Sequence, residues 1–153
     1  MKRLANKVAI ITGAASGMGA AEALLFASEG AKVFITDLQE GKLKVVADEI
    51  KHQGGNVGYA VQDVSLERSW MEVAQKTELL FGRIDILVNN AGITGNLLGS
   101  IEERTVEEFN RVIGVNLLSQ FLGAKTVIPY MRKNKAGSII NISSIGGIIG
   151  SAN

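Results

Sequence analysis

Five short apolar runs recur along the chain, and a longer segment with helical spacing of apolar residues separates each run from the next. The runs are residues 8–11, 31–36, 56–61, 84–88 and 137–142. Most of them are continuously apolar rather than alternating, which is typical of parallel strands that are covered on both faces. Strands that alternate with helices predict an α/β fold with a doubly wound parallel sheet. Right-handed crossovers place the first strand centrally, beside a point where ligands bind.

The segments between the runs carry helical stripes and one clear start signal. The stripes of the second and third segments are Leu43, Val46 and Ile50, and Trp70, Val73, Thr77 and Leu80. The fourth segment is long and extends from about Thr105 to about Lys133. Thr105 and Glu108 form a capping-box pattern that predicts its first turn. Trp70, within its stripe, is expected to belong to the core.

Composition narrows the range of partners. The 153 residues suffice for one domain, residues 1–153, without linker or repeat. Sixteen basic and fifteen acidic residues give a net charge of +1, which offers no electrostatic case for a nucleic acid or an anionic membrane. The absence of cysteine excludes disulfides and thiolate metal sites, and it fits a reducing cytoplasm. No metal site and no membrane-spanning segment are expected.

The segment TGAASGMG, residues 12–19, connects the first predicted strand to the first predicted helix. Gly13, Gly17 and Gly19 permit a tight turn, close approach of the backbone to a ligand, and close packing of helix on strand. Backbone N–H groups at the helix start then face an anion, ideally a pyrophosphate. Three glycines at one strand–helix junction exceed what a turn alone needs. Glycines that serve only the turn and its packing are the alternative.

Acidic residues end the second and third predicted strands. A carboxylate at Asp37 can accept hydrogen bonds from the ribose hydroxyls of NAD and would repel a 2′-phosphate. The loop residues 14–16 are Ala, Ala and Ser, so the glycine loop holds no cation for that phosphate. The alternative for Asp37 is an N-cap of the second helix. Asp63 and Val64 predict contact with an adenine ring, or else a turn with Ser65 capping the third helix.

Polar and small residues follow the later strands. The segment 89–92, Asn-Asn-Ala-Gly, lets the backbone approach a ligand closely, and a simple turn is the alternative. Asn116 follows Gly114 inside the long helical segment, where both residue types are unfavourable. It predicts either a boundary between two helices or a distorted turn that serves a site. Ser143 and Ser144 follow the fifth strand, and polar capping of the strand end suffices for Ser143.

Together these motifs resemble the short-chain dehydrogenase/reductase family in order and approximate spacing, over the whole chain. The resemblance implies a Rossmann-type sheet whose C-terminal part lies outside the chain, and NAD as the cofactor. The cofactor-binding residues that it implies are Gly13, Ser16, Gly17, Met18, Gly19, Asp37, Asp63, Val64, Asn90, Ala91 and Gly92. Asn116 resembles the family's asparagine whose backbone holds a water in a proton relay. Ser144 resembles the catalytic serine that orients the substrate oxygen.

The chain departs from the family at its catalytic Tyr-x-x-x-Lys element, because it stops nine residues after Ser144. Tyr59 and Tyr130 are followed four residues later by Asp63 and Asn134 rather than by lysine. We therefore expect the N-terminal part of an NAD-dependent oxidoreductase that transfers a hydride between the cofactor and a secondary alcohol or ketone. The 153-residue chain alone is expected to be inactive. The alternative is a non-catalytic NAD-binding or regulatory fragment.

The resemblance leaves the small alcohol or carbonyl substrate unspecified. An apolar-leaning pocket is expected from Ile93, Leu97, Leu98, Ile145, Ile148 and Ile149. The full-length protein is expected to be a cytoplasmic homo-oligomer, by resemblance a homotetramer. Without later strands, the fifth strand is expected to form an exposed sheet edge and the last helix to bare apolar faces.

Overall fold

Five parallel strands form one sheet in the order β3-β2-β1-β4-β5. The computed structural model describes residues 2–95 and 100–145. The strands are β1 (Val8–Thr12), β2 (Lys32–Asp37), β3 (Asn56–Val61), β4 (Ile86–Asn89) and β5 (Ser138–Asn141). The helices are α1 (Gly17–Ser28), α2 (Glu40–His52), α3 (Glu67–Phe81), α4 (Val106–Ile113) and α5 (Ser119–Lys133). The predicted strands and the central position of β1 are confirmed.

The core lies on both faces of the sheet, which explains why the central strands are apolar without alternation. One face packs against α1 and α2, and the second packs against α3 and α5. All five residues of β1 are buried. The predicted stripe of α2 is buried, as are Trp70, Val73 and Thr77 of α3. Leu80 is 55% exposed, because it lies over Gly58 of the edge strand β3, at the border of the sheet.

The long helical segment begins as its capping box predicts. The Thr105 hydroxyl accepts from the Glu108 backbone N–H at 3.1 Å, and the Glu108 carboxylate accepts from the Thr105 N–H at 3.2 Å. Between α4 and α5 the segment Gly114–Leu118 is a π-helix. Asn116 therefore sits in a distorted turn between two helices, where a widened helical turn tolerates residues that an α-helix disfavours.

The π-helical turn keeps α4 and α5 in one helical stretch, Val106–Lys133, of 28 residues. By length and apolar composition alone, this stretch could cross a membrane. The sequence was expected to hold no segment near the length and apolarity of a membrane span, and this stretch reaches both by length and composition. Leu122, Val127 and Met131 of the same stretch pack into the core against the sheet.

The fifth strand forms an edge of the sheet, as predicted. Three of its four residues are exposed. Phe109, Leu117 and Phe121 of the long helical stretch are also exposed, at 62%, 62% and 61%. Leu97, Leu98, Ile148 and Ile149, named above as pocket residues, lie outside the described residues. Residues 146–153 lie outside the described residues as well.

Candidate nucleotide-binding site

Two glycines of the loop between β1 and α1 hold two loops in close contact. Gly13 has a φ of +66°, and a Cβ there would lie 2.8 Å from the Ala91 Cα. A Cβ on Gly19 would lie 2.5 Å from the Asn90 side-chain nitrogen and would also meet the Gly13 carbonyl. These positions therefore exclude side chains because the loop after β4 lies against them. Gly17 differs, since its φ is +57° and a Cβ there would meet nothing within 4 Å.

A threonine that the sequence did not single out joins the same two loops. The buried Thr12 hydroxyl accepts from the backbone N–H groups of Asn90 and Ala91, each at 3.1 Å. The Asn90 side-chain amide donates to the carbonyls of Thr12 and Gly13 at 2.8 and 3.2 Å. The sequence signal that could have identified this threonine was a hydroxyl-bearing residue at the end of a buried strand, next to a glycine loop. The network fixes the two loops at the carboxyl ends of β1 and β4.

Both carboxylate oxygens of Asp37 accept backbone hydrogen bonds. Oδ2 accepts from the Ala15 N–H at 3.1 Å, and Oδ1 accepts from the Gln39 N–H at 3.0 Å. The N-cap position of α2 is Gln39, not Asp37, so the capping alternative for Asp37 was wrong. The helix starts later than that alternative requires, because residues 38 and 39 first form a turn closed by the Asp37 side chain. Asp37 is thus free of the helix and lies beside the glycine loop.

Asp63 closes a similar turn after β3. Its Oδ1 accepts from the backbone N–H of Ser65 at 2.9 Å and from the Ser65 hydroxyl at 2.6 Å. Leu66 is the residue that precedes the first turn of α3. The alternative in which Ser65 caps α3 was therefore wrong, because its hydroxyl is directed back to Asp63. The sequence suggested either a turn or contact with an adenine ring at this position, and the turn is present.

A cavity of about 410 Å³ opens between these loops. It is lined by Gly13, Ser16, Asp37, Leu38, Gln39, Gln62, Asp63, Val64, Asn90, Ala91, Gly92, Ile93 and Val115. Eight of the eleven cofactor-binding residues named from sequence lie in this lining. Of the others, Gly17 and Met18 begin α1, and Gly19 is buried beneath the loop. The lining includes two carboxylates and, among the described residues, no lysine or arginine.

The chemistry of this lining fits part of a nicotinamide dinucleotide. Beside Ser16 of the lining, the backbone N–H groups at the start of α1 are of the kind that binds anions, and the position of Gly17, which begins the helix, is open. An acidic acceptor lies beside that site, where a ribose diol would be bound. Leu38 and Val64 supply apolar contacts for a flat ring. Within the described ranges no three acidic or histidine side chains are grouped to hold a metal ion.

The sequence profile described as short chain dehydrogenase matches residues 7–153. The chain belongs to this family. A 2,5-dichloro-2,5-cyclohexadiene-1,4-diol dehydrogenase from Sphingobium indicum is 45% identical over 150 residues, which are 98% of this chain and 59% of that protein. A 3-oxoacyl-acyl-carrier-protein reductase from Thermotoga maritima is 44% identical over 148 residues, which are 97% and 59% of the two chains.

The fold is shared with solved short-chain dehydrogenases. A crystal structure of a metagenomic short-chain oxidoreductase in complex with NADP superimposes with a TM-score of 0.91 at 37% identity. The superposition covers 97% of this chain and 67% of that one. The chain thus spans less than two thirds of the length of the two curated relatives.

The two residues that resemble catalytic groups of a short-chain dehydrogenase lie outside the cavity lining. The Asn116 side chain pairs with Ile93, accepting from its N–H and donating to its carbonyl, both at 2.8 Å. This pairing attaches the π-helical turn to the loop after β4. Ser144 is exposed and lies three residues past β5. The Asn89 carbonyl accepts from the Ile142 N–H at 3.0 Å, which holds the chain just before Ser144 against β4.

Proposed function

We propose that the protein is an NAD-dependent oxidoreductase that transfers a hydride between the nicotinamide ring and the carbon of a secondary alcohol or ketone. The observation that carries the proposal is the Asp37 carboxylate, which lies beside the glycine loop in a cavity whose described lining has no cation. Family membership supports oxidoreductase chemistry, and the nucleotide site supports a dinucleotide. The remaining choices are the form of the cofactor and the class of substrate.

NAD is preferred over NADP on electrostatic grounds. A 2′-phosphate on the adenosine ribose would bring its charge close to Asp37, with Asp63 in the same cavity. Like charges at close range raise the free energy of the complex, and no described lining residue provides a compensating cation. The similar metagenomic oxidoreductase was solved with NADP. Cofactor choice in this chain therefore depends on its own residue at position 37 rather than on family membership.

The substrate class rests on the names of the relatives and on the residues near the site. A diol dehydrogenase and a 3-oxoacyl reductase both act at an alcohol or ketone carbon. Of the six apolar residues named for the pocket, Ile93 lines the cavity and Ile145 is exposed just after Ser144. These two apolar side chains favour a substrate with an apolar body.

The bound nicotinamide would supply the hydride acceptor or donor at its C4. Ser144 would donate a hydrogen bond to the reacting oxygen and orient it. Asn116, fixed through Ile93, would hold the backbone of the π-helical turn in place for a water that relays the proton. Neither tyrosine of the chain is followed four residues later by the lysine that would tune it as an acid, so we assign the proton donor of the full reaction to neither of them.

The gene product that contains this chain is proposed to be a cytoplasmic homo-oligomer. The exposed apolar residues of α4 and α5 support self-association, and the cysteine-free sequence supports a reducing compartment. The competing function, NAD binding without turnover, would need neither Ser144 nor the paired Asn116.

Absorbance of NADH at 340 nm tests the proposal directly. The gene product and the 153-residue chain are each incubated with NAD and a panel of cyclic and linear secondary alcohols, and with NADH and the matching ketones. Hydride transfer by the gene product, with none above background by the short chain, is expected. Nucleotide binding by the gene product without any turnover would favour the non-catalytic alternative. Equal turnover by both would require a proton donor within residues 1–153.

A further inference from the structure

We propose that Asp37 orders the glycine loop as well as recognising the ribose, so that it is a positioning residue for the pyrophosphate site. This inference rests on the proposed function for its ligand. The loop contact itself is a property of the protein without nucleotide. An acidic residue that acts only through its charge and the ribose hydroxyls would leave the loop unchanged when it is removed.

Asp37 is joined by hydrogen bonds to two of the loops that line the cavity. The Ala15 N–H, in the glycine loop, donates to one carboxylate oxygen at 3.1 Å, and the Gln39 N–H, before α2, donates to the other at 3.0 Å. The neighbouring Ala14 N–H donates to the Thr36 carbonyl at 3.0 Å. The loop is therefore attached to the end of β2 by two consecutive N–H groups, and one of these bonds depends on a side chain.

Because Ala15 is buried, loss of its hydrogen bond to Asp37 would affect the conformation of the glycine loop. Ala15 is only 6% exposed, so water has little access to its environment. A buried N–H that loses its acceptor destabilises the conformation that buries it. The loop would respond by moving, and Ser16 and Gly17 follow directly at the start of α1. Displacement there would misalign the N–H groups that bind a pyrophosphate.

Ribose recognition and loop ordering are compatible on one carboxylate. Its two oxygens together accept about four hydrogen bonds when ionised. Two acceptor positions are used by Ala15 and Gln39, which leaves two for the hydroxyls of a ribose. Replacing Asp37 to admit NADP would remove the repulsion and release the loop at the same time. An Asp37→Ala variant is thus expected to lose NAD affinity without a matching gain for NADP.

Amide hydrogen exchange on the nucleotide-free gene product tests the loop contact without any ligand. In Asp37→Ala we expect the Ala15 amide to exchange about tenfold faster or more, as expected for loss of one protecting hydrogen bond. Asp63→Ala is the matched control, because it removes a carboxylate of the same cavity that contacts Ser65 and not the glycine loop. It should leave the Ala15 rate unchanged. Equal Ala15 rates in Asp37→Ala and the wild type would overturn the proposal.

Asp37→Asn covers the case in which Asp37→Ala does not fold. One amide oxygen can replace only one of the two acceptors, so the Ala15 or the Gln39 amide should exchange faster. Wild-type rates at both positions would count against the proposal.

A ligand cycle separates the two roles of Asp37 by calorimetry. The probes are NAD and an NAD analogue whose adenosine ribose is 2′,3′-dideoxy and therefore offers Asp37 no hydroxyl. If Asp37 acts only on the ribose, Asp37→Ala and wild type bind the analogue equally. We expect Asp37→Ala to bind the analogue with an affinity about threefold or more below that of the wild type, because the glycine loop of the variant is disordered whichever ligand is used. Failure of the wild type to bind NAD at all would refute the proposed function, whereas the exchange result would still decide the loop contact.

Discussion

The central strands and the last strand have similar sequences but different surroundings. VAIIT of β1 is buried at every position, whereas three of the four residues of SIIN in β5 are exposed. Ile11, Val88 and Ile140 lie side by side in register across β1, β4 and β5. Ile11 is fully buried and Ile140 is 39% exposed. An apolar run therefore predicts a strand, but the elements around it determine how far the strand is buried.

The same contrast divides the candidate site. The loops after β1, β2, β3 and β4 line the cavity. Hydrogen bonds that the Thr12 hydroxyl and the Asp37 carboxylate accept, and that the Asn90 amide donates, join the loops after β1, β2 and β4. After β5, the Ile142 N–H donates to the Asn89 carbonyl of β4, and within the described residues no strand pairs with the outer edge of β5. The nucleotide half is thus formed by contacts within this chain. In the proposed function, Ser144 lies at the border of the substrate half.

Matched alanine substitutions on the two strands should give the largest difference. In the 153-residue chain, Ile11→Ala should lower the free energy of unfolding by about 2–5 kcal/mol, since it removes a fully buried side chain. Ile140→Ala, the same change on the edge strand, should cost less than about 1 kcal/mol. Equilibrium urea unfolding measures both. Similar losses would mean that β5 is covered in solution, and sedimentation of the chain would then show whether a second copy covers it.

The fold was predictable because apolar runs marked the strands, although they did not show how far each strand is buried. β1 to β4 have continuous apolar runs, and glycine or acidic residues follow their ends where the cavity forms. The limits of prediction were local. Leu80 fits the stripe of α3 by spacing but is half-exposed. The spacing could not predict this exposure, because it does not show that β3 is an edge strand. The π-helical turn at Asn116 is attached by side-chain hydrogen bonds to Ile93, a partner that is 23 residues away in the chain.

Substitution of the two serines after β5 tests which of them belongs to the proposed substrate site. In the gene product, Ser144→Ala should lower kcat by about 10²-fold, the typical effect of removing a donor aimed at a reacting oxygen. Ser143→Ala should have a much smaller effect, because capping of the strand end suffices for that residue. Steady-state kinetics on one alcohol gives both values. If Ser143→Ala were the more damaging change, the assignment of the catalytic serine would be wrong by one position.

A glycine substitution tests how tightly the nucleotide half is packed. Gly19→Ala should destabilise the protein by about 1–3 kcal/mol and weaken nucleotide binding, because its Cβ would contact the Gly13 carbonyl and Asn90. Gly41→Ala is the control, since it lies in α2 with open space around it and should be neutral or stabilising. Thermal unfolding with and without NAD measures both effects. An unchanged melting temperature in Gly19→Ala would contradict the close contact between the loops.

The site was predictable in part, and the unpredicted part consists of side chains that bond to backbone. Gly13, Asp37, Asp63 and Asn90 were identified by residue type and by position after a strand. Thr12 was not, although its hydroxyl joins two loops, because threonine is common in strands and its partners are 78 and 79 residues away. The contact of Asp37 with Ala15 was not predicted either. An acidic residue at this position fits both a ribose acceptor and a loop acceptor, so the residue type does not distinguish the two roles.

Cofactor discrimination is the most direct test of the central claim, which is that the cavity beside Asp37 binds NAD. Isothermal titration calorimetry of the gene product with NAD and with NADP, at one ionic strength, gives the two dissociation constants. We predict that NAD binds about tenfold tighter or more, which corresponds to about 1.4 kcal/mol and is the order expected for an uncompensated charge near a partly solvated carboxylate. Equal dissociation constants, or tighter binding of NADP, would contradict the account.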